Sequence, residues 1–208
     1  MSLKKLQKEI MLSAVYQQSS LESPQAKELD PDNRLYSHFS LQRLDAEQLR
    51  DSILFVAGDL DTDKMGGPAK ELGTDNTRRT IYAKVSRFRI DPFLQAFDFP
   101  NPTFTAEQRF STNVPVQRLY FMNNAFVYSQ AGKLATRVYD KGDDAARIHE
   151  TYELLFGRAP TAEELQLGMT FLKSTPEKPG YLVNQEPLTA WKQYARVLFS
   201  SNEFEFLN

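Results

Sequence analysis

Apolar residues recur at helical spacing over most of the chain, and the pattern breaks where proline, glycine or clustered polar residues intervene. Leu3, Leu6, Ile10 and Ala14 share one stripe with Met11 and Val15 beside it, which predicts an opening helix. From Ser19 to Asn33 the chain is polar and holds Pro24 and Pro31, which predicts a long surface loop. Leu44 to Gly58 then carries a full set of helix signals. Asp45 and Gln48 have capping-box spacing, and Leu44 and Leu49 stand where a hydrophobic staple closes over the cap. Leu49, Ile53 and Val56 form the inward stripe, and Gly58 supplies the left-handed residue that ends the helix.

Asp59 to Thr77 reads as a loop, turned at Gly66-Gly67-Pro68. Thr80 to Val85 alternates, with Ile81, Ala83 and Val85 on one side, and predicts a short strand paired with Phe110 to Val114. Asp91-Pro92 opens a helical turn through Phe97 that Pro100 and Pro102 stop. Helices come next. One is capped by Asn113 with Leu119 and Met122 inward, and a second carries Phe126, Val127, Leu134 and Val138 after the break at Asn123-Asn124. A third, capped by Asp143 or Asp144, carries Ile148, Tyr152 and Leu155 and closes at Gly157. A fourth opens on the Thr161 and Glu164 capping box and carries Leu165, Met169 and Leu172. Ser174 to Glu186 is a proline-containing loop, and Pro187 stands first in a last helix with Leu188, Trp191, Tyr194, Ala195 and Leu198. The fold class is therefore mainly α: a multi-helix, bundle-like domain with at most a small two-stranded β element. It spans residues 1–208 as a single helical domain, divisible into subdomains 1–140 and 141–208.

Composition narrows the function classes. Fifteen Phe and nine Tyr supply large core groups, and 41% hydrophobic with 25% charged residues is a folding composition, not a disordered one. A net charge of −2 argues against nucleic acid, whose binding needs a basic surplus to displace counterions. No apolar run is long enough for a transmembrane segment. The absence of cysteine excludes disulfides, thiolate metal sites, thiol nucleophiles and covalent haem attachment within these residues. The opening Met1-Ser2-Leu3-Lys4-Lys5 enters an amphipathic pattern at once, and the chain reads as a fragment of a longer multidomain protein.

No nucleophile elbow, P-loop or dinucleotide fingerprint is present. Asp59, Asp61 and Asp63 alternate as in a calcium loop, but Lys64 and Lys70 occupy the positions of the turn glycine and the bidentate glutamate. They are weak metal candidates, read first as a solvated acidic turn. His38 and His149 have no metal-binding spacing and read as surface or capping residues. The acid pairs Asp143-Asp144 and Glu163-Glu164 stand at helix starts, where the macrodipole favours them. The strongest local feature is basic: Arg78, Arg79, Lys84, Arg87 and Arg89 surround the expected strand. Guanidinium forks there suit a carboxylate, sulfate or phosphate, and internal pairing with Asp75, Asp91, Asp98 or helix C-termini is the plainer reading.

Several segments in order carry a family resemblance: LKKLQKEIMLSAVYQQSS from Leu3, Asp30-Pro31-Asp32-Asn33-Arg34-Leu35, LDAEQLRDSILFVAG from Leu44, Met65-Gly66-Gly67-Pro68, and Arg78-Arg79-Thr80-Ile81-Tyr82. They continue with Phe97-Asp98-Phe99-Pro100, Arg109, Ser111 to Gln117, Met122 to Phe126, Phe156 to Pro160 and Ser201-Asn202-Glu203-Phe204. The series resembles, almost end to end, the C-terminal domain of unknown function in large planctomycete-type cytochrome c proteins. That resemblance implies an exported parent, hence an extracytoplasmic (periplasmic or cell-envelope) location. It also implies upstream domains as partners, with haem in a missing upstream domain and no cofactor in this chain. A part in polysaccharide breakdown has been suspected for such proteins. The family's polar positions match at Arg78, Arg79, Asp98, Arg109, Thr112, Gln117 and Asn123. Thr80 stands where members commonly have serine, and Arg118 where they have a small residue, which alters the surroundings of Gln117.

We therefore expect a non-catalytic binding or interaction module at the C-terminus of an exported, cytochrome c-associated protein. One alternative is a polysaccharide-degrading site shared with upstream domains, in which the matched polar residues line a pocket for an anionic or carbohydrate ligand. The other is a purely structural domain in which the same residues form a buried polar brace.

Overall fold

The computed structural model describes residues 2–178 and 187–207. Among them are ten α-helices, two 3-10 turns and one antiparallel pair of two-residue strands, so the fold is mainly α as the periodicity predicts. None of these helices is long and apolar enough to cross a membrane. The chain divides into two compact units, residues 1–43 with 206–208 and residues 44–205.

The first unit contains α1 (Leu3–Met11), α2 (Pro24–Leu29) and the strands β1 (Gln42–Arg43) and β2 (Phe206–Leu207), with Gln42 opposite Leu207. The helix α1 stops before Ala14, where the Ser13 hydroxyl donates to the Ile10 carbonyl at 2.7 Å and competes with the helical ladder. The stretch expected to be all loop holds α2, because Ser23 accepts from the Ala26 amide and Pro24 takes the first helical position. Polar ties organise the turns after α2. The Asp30 carboxylate accepts from the Arg34 and Leu35 amides at 2.8 and 2.7 Å. Asn33, at φ 49°, donates its amide to the His38 carbonyl at 2.7 Å. No hydrophobic residue described in this unit is buried.

The second unit has an ordinary core. Its helices are α3 (Ala46–Val56), α4 (Pro92–Ala96), α5 (Pro115–Asn123), α6 (Ala125–Arg137), α7 (Asp144–Phe156), α8 (Ala162–Ser174), α9 (Ala190–Phe199) and α10 (Asn202–Glu205). Leu49, Ile53 and Leu54 of α3 meet Phe93 and Leu94 of α4, Phe121 of α5, Val127 and Leu134 of α6 and Phe199 of α9. Each such side chain contributes about 1.5–3 kcal/mol by leaving water. A second cluster joins Ile148 and Tyr152 of α7 to Tyr194 and Leu198 of α9. Gly168 of α8 admits that tyrosine, since a Cβ there would stand 2.6 Å from the Tyr194 hydroxyl.

Three further expectations fail. Thr80–Tyr82 is a 3-10 turn and not a strand, because the Asp51 carboxylate holds the Thr80 amide at 2.7 Å. Ile81 and Val85 are 71% and 44% exposed, and residues 110–114 form no strand. On α5 the cap falls at Val114 and not Asn113. There Leu119 and Met122 point outward at 53% and 55% exposure, while Gln117 and Phe121 are buried. The last helix starts at Ala190 under a Thr189 cap, three residues after the expected Pro187, because residue 188 bridges to Lys178 instead. Residues 179–186 of the expected 174–186 loop lie outside the described residues.

At Asp45 the Gln48 side chain accepts from the Asp45 amide at 3.0 Å while the Asp45 side chain caps no amide, and the box at Thr161 forms in full as the sequence predicts. The Thr161 box joins a larger clasp. The Arg158 guanidinium donates to both Glu164 oxygens at 2.9 and 2.8 Å and to both Glu203 oxygens at 2.7 and 2.8 Å, tying α8 to α10. The Arg158 hydrogen bonds, with help from Thr161, hold the Glu164 carboxyl down at about 2. A depressed carboxylate stabilises the fold above its unfolded value of 4.5 and loses that contribution as pH falls towards 2. Thermal melts between those limits should therefore show a steeper loss of Tm for the native chain than for Glu164→Gln. Parallel curves would contradict the clasp.

Candidate functional site

The matched polar residues fall into groups with different partners. Arg78 is buried on the segment following the glycine turn. Its guanidinium donates to the Pro68 carbonyl at 3.0 Å and to the Gly66 carbonyl, and lies 5.1 Å from the Tyr82 ring centre. It thus closes the loop that Gly66 and Gly67 turn at φ 68° and 81°. Arg79 points to water and reaches Asp51 at 3.7 Å. The other cations of that stretch are exposed, Lys84 pairing with Glu71 at 2.9 Å.

A second group joins α3, α4 and α5. Asp98 sits just past α4 at φ 58°, a left-handed conformation that aspartate tolerates. Its carboxylate accepts from the Thr112 amide at 2.7 Å and from the Thr112 hydroxyl at 2.9 Å. Arg109 forks onto Glu47 at 2.8 and 2.9 Å, stands 3.3 Å from Asp45 and covers the Phe99 ring at 5.6 Å. Burial pushes the Glu47 carboxyl up, yet the Arg109 hydrogen bond, a backbone hydrogen bond and the Arg109 charge together outweigh it, and the net direction is down. Gln117 is buried at 1% exposure and serves two helix ends. Its oxygen accepts from the Val114 amide at 3.1 Å, and its nitrogen donates to the Ala96 carbonyl at 2.9 Å. Asn123 is exposed at the end of α5, and Arg118 donates to Asn202 at 2.9 Å.

The acidic run is likewise tied into the fold. The Asp59 carboxylate accepts from Gln130 at 2.9 Å and pairs with Lys133. Asp61 accepts from the Asp63 and Lys64 amides at 3.1 Å, and these backbone bonds, with Lys64, hold its carboxyl below the usual range. No group of three or more metal-ligating side chains occurs among the described residues. His38 lies beside the Ser37 hydroxyl at 3.1 Å, and His149 is exposed on α7.

Pattern reading missed the most buried cation. Arg50 of α3 is 2% exposed, and it donates to the Asn76 and Gly73 carbonyls at 2.7 and 3.1 Å and to the Thr80 hydroxyl at 3.5 Å. The guanidinium lies 4.5 Å from the Phe126 ring centre, and desolvation lowers its pKa. A signal existed: position 50 stands four residues from both Ala46 and Leu54, on the buried stripe of α3. Gln117→Leu should lower the unfolding free energy of the chain by about 2 kcal/mol in urea titration, because it leaves the Ala96 carbonyl and Val114 amide without their side-chain partner. A change under about 0.5 kcal/mol would show that these bonds hold nothing.

No curated protein and no solved structure matches the chain. A family model does, over residues 1–172, a span that includes all the matched polar residues from Arg78 to Asn123. The chain belongs to the PSD1 family, described as protein of unknown function (DUF1553).

Proposed function

We propose that the chain is a non-catalytic interaction module of a larger exported protein, and that its first unit is the surface through which it docks. One observation carries this: the described hydrophobic residues of residues 2–43 are all outside a core. Leu3, Ile10, Met11, Leu12, Val15 and Tyr16 are between 50% and 72% exposed. Scattered exposed apolar residues are ordinary, but a run of them along one amphipathic helix and its continuation marks an interaction surface. The surface fits a protein partner, and the resemblance to planctomycete-type cytochrome c proteins points to upstream domains of the same polypeptide. Haem belongs to those domains in this reading, since the chain has no cysteine for its covalent attachment.

The matched polar residues support the non-catalytic half of the reading. Arg78, Asp98, Arg109, Thr112 and Gln117 each spend hydrogen bonds on backbone or side chains of the second unit. We read them as braces and not as a pocket for substrate. Amide exchange on the full-length polypeptide beside the isolated chain tests the docking. Residues 3–16 should exchange at least about tenfold more slowly in the longer protein, and Leu6→Glu with Ile10→Glu should abolish that difference while changing the isolated chain's stability by under about 0.5 kcal/mol. Equal exchange in both proteins would overturn the proposal.

A further inference from the structure

The braces absorb Arg78 from the basic run of the second unit, and the far end of that run has no such task. Residues 83–91 link the 3-10 turn at Thr80–Tyr82 to α4 and hold no helix. Both ends of this loop are anchored. Lys70 bridges to Ala83, and the Lys84 amide donates to the Lys70 carbonyl at 2.8 Å. At the other end Ile90 packs against the core, and the Asp91 carboxylate accepts from the Phe93 amide at 2.8 Å. Between the anchors the Phe88 amide donates to the Ser86 hydroxyl at 3.3 Å, and Arg87-Phe88-Arg89 forms an exposed tip.

Phe88 is 101% exposed, so its ring protrudes with nothing to shield it from water. A lone exposed apolar residue is ordinary. This one stands between two guanidinium groups. Arg87 and Arg89 are exposed, and among the described residues neither side chain makes a hydrogen bond or an ion pair. Glu71 feels the Arg89 charge, but its own ion pair, at 2.9 Å, is with Lys84. Lys70, exposed, follows the same bridge into this neighbourhood. Arg79 faces Asp51, and Asp91 is spent on the α4 cap, which leaves the tip positive. Val85, earlier in the loop, borders a concavity with Phe104 and Glu107, and that phenylalanine is 77% exposed.

We infer that this tip is a peripheral contact with an anionic phospholipid surface, Phe88 entering the boundary between headgroups and acyl chains while Arg87 and Arg89 bind phosphates on either side. Charge complementarity selects the occupant. Guanidinium forks match phosphate oxygens, and aromatic rings settle at headgroup level. Lys70 and Lys84 add the attraction of a basic patch to a negatively charged surface. Shape decides between a bilayer and an acidic protein. A protein would need a pocket for a protruding ring, whereas a bilayer interface yields around it, and such a contact needs no membrane-spanning helix. The residues involved lie outside the first unit, so this inference and the docking proposal can fail separately.

Co-sedimentation of the whole chain with lipid vesicles tests it. Vesicles of phosphatidylglycerol and phosphatidylcholine in equal parts should bind at least about tenfold more tightly than phosphatidylcholine alone. Phe88→Ser, and Arg87→Gln with Arg89→Gln, should each weaken that binding about tenfold at unchanged helical content. Leu6→Glu with Ile10→Glu should leave it unaltered, which separates the tip from the basic, amphipathic α1. In a Phe88→Trp chain, lipids brominated on their acyl chains should quench the new indole and spare Trp191 of the native chain. Equal binding to both vesicles, unaltered binding of a folded Phe88→Ser, or loss of binding with Leu6→Glu and Ile10→Glu would each overturn the inference. So would an unquenched Phe88→Trp indole, or polyglutamate bound as tightly as the anionic vesicles, which would assign the tip to an acidic protein.

Discussion

A guanidinium with no water around it is the constraint on which the second unit depends. Burying Arg50 costs several kcal/mol unless its donors are met, and the chain meets them with backbone carbonyls from a segment that has little regular structure of its own. That segment, Gly73 to Thr80, is thereby pinned against α3, and the Phe126 face brings α6 into the same arrangement. Asp51, the next residue on the helix, fixes the Thr80 amide from the neighbouring position. A loop that sequence periodicity could describe only as irregular is thus given one conformation by two adjacent polar residues of a helix.

The legible parts of the fold were those set by neighbours in sequence. The Thr161 capping box, the Gln48 half of the box at Asp45, the left-handed glycines at 58 and 157 and the inward stripe of α3 follow from short sequence spacings. Apart from α2, whose Ser23 cap and Pro24 are local signals, the elements that escaped were set largely by more distant partners. Alternation in Thr80 to Val85 has the look of a strand, but a contact from Asp51, nearly thirty residues earlier, bends it into a 3-10 turn. On α5 the helical period was visible while its phase was not, because a buried glutamine serving Ala96 takes a place that hydropathy assigns to Leu119 or Met122. Arg78 and Arg109 were legible as notable residues, and their partners, a pair of turn carbonyls and Glu47, were not.

The two units answer the same need by different means. The second buries phenylalanines and leucines and uses arginine forks, Arg109 on α3 and Arg158 between α8 and α10, to fix helices already held by apolar contact. The first holds its turns with Asp30 and Asn33 and leaves most of its apolar side chains exposed and none of the described ones buried. A segment of that kind gains its stabilisation from the surface it meets, and the proposed docking role rests on that difference. Polar residues that look like a binding site in sequence are, on this account, the scaffold.

The scaffold claim is tested most directly by urea unfolding of Arg50→Met. Methionine fills much of the space but leaves the Asn76 carbonyl without its buried Arg50 donor and the Gly73 carbonyl with only the Asn76 amide. The account predicts a loss of about 3–5 kcal/mol. A variant as stable as the native chain would contradict it.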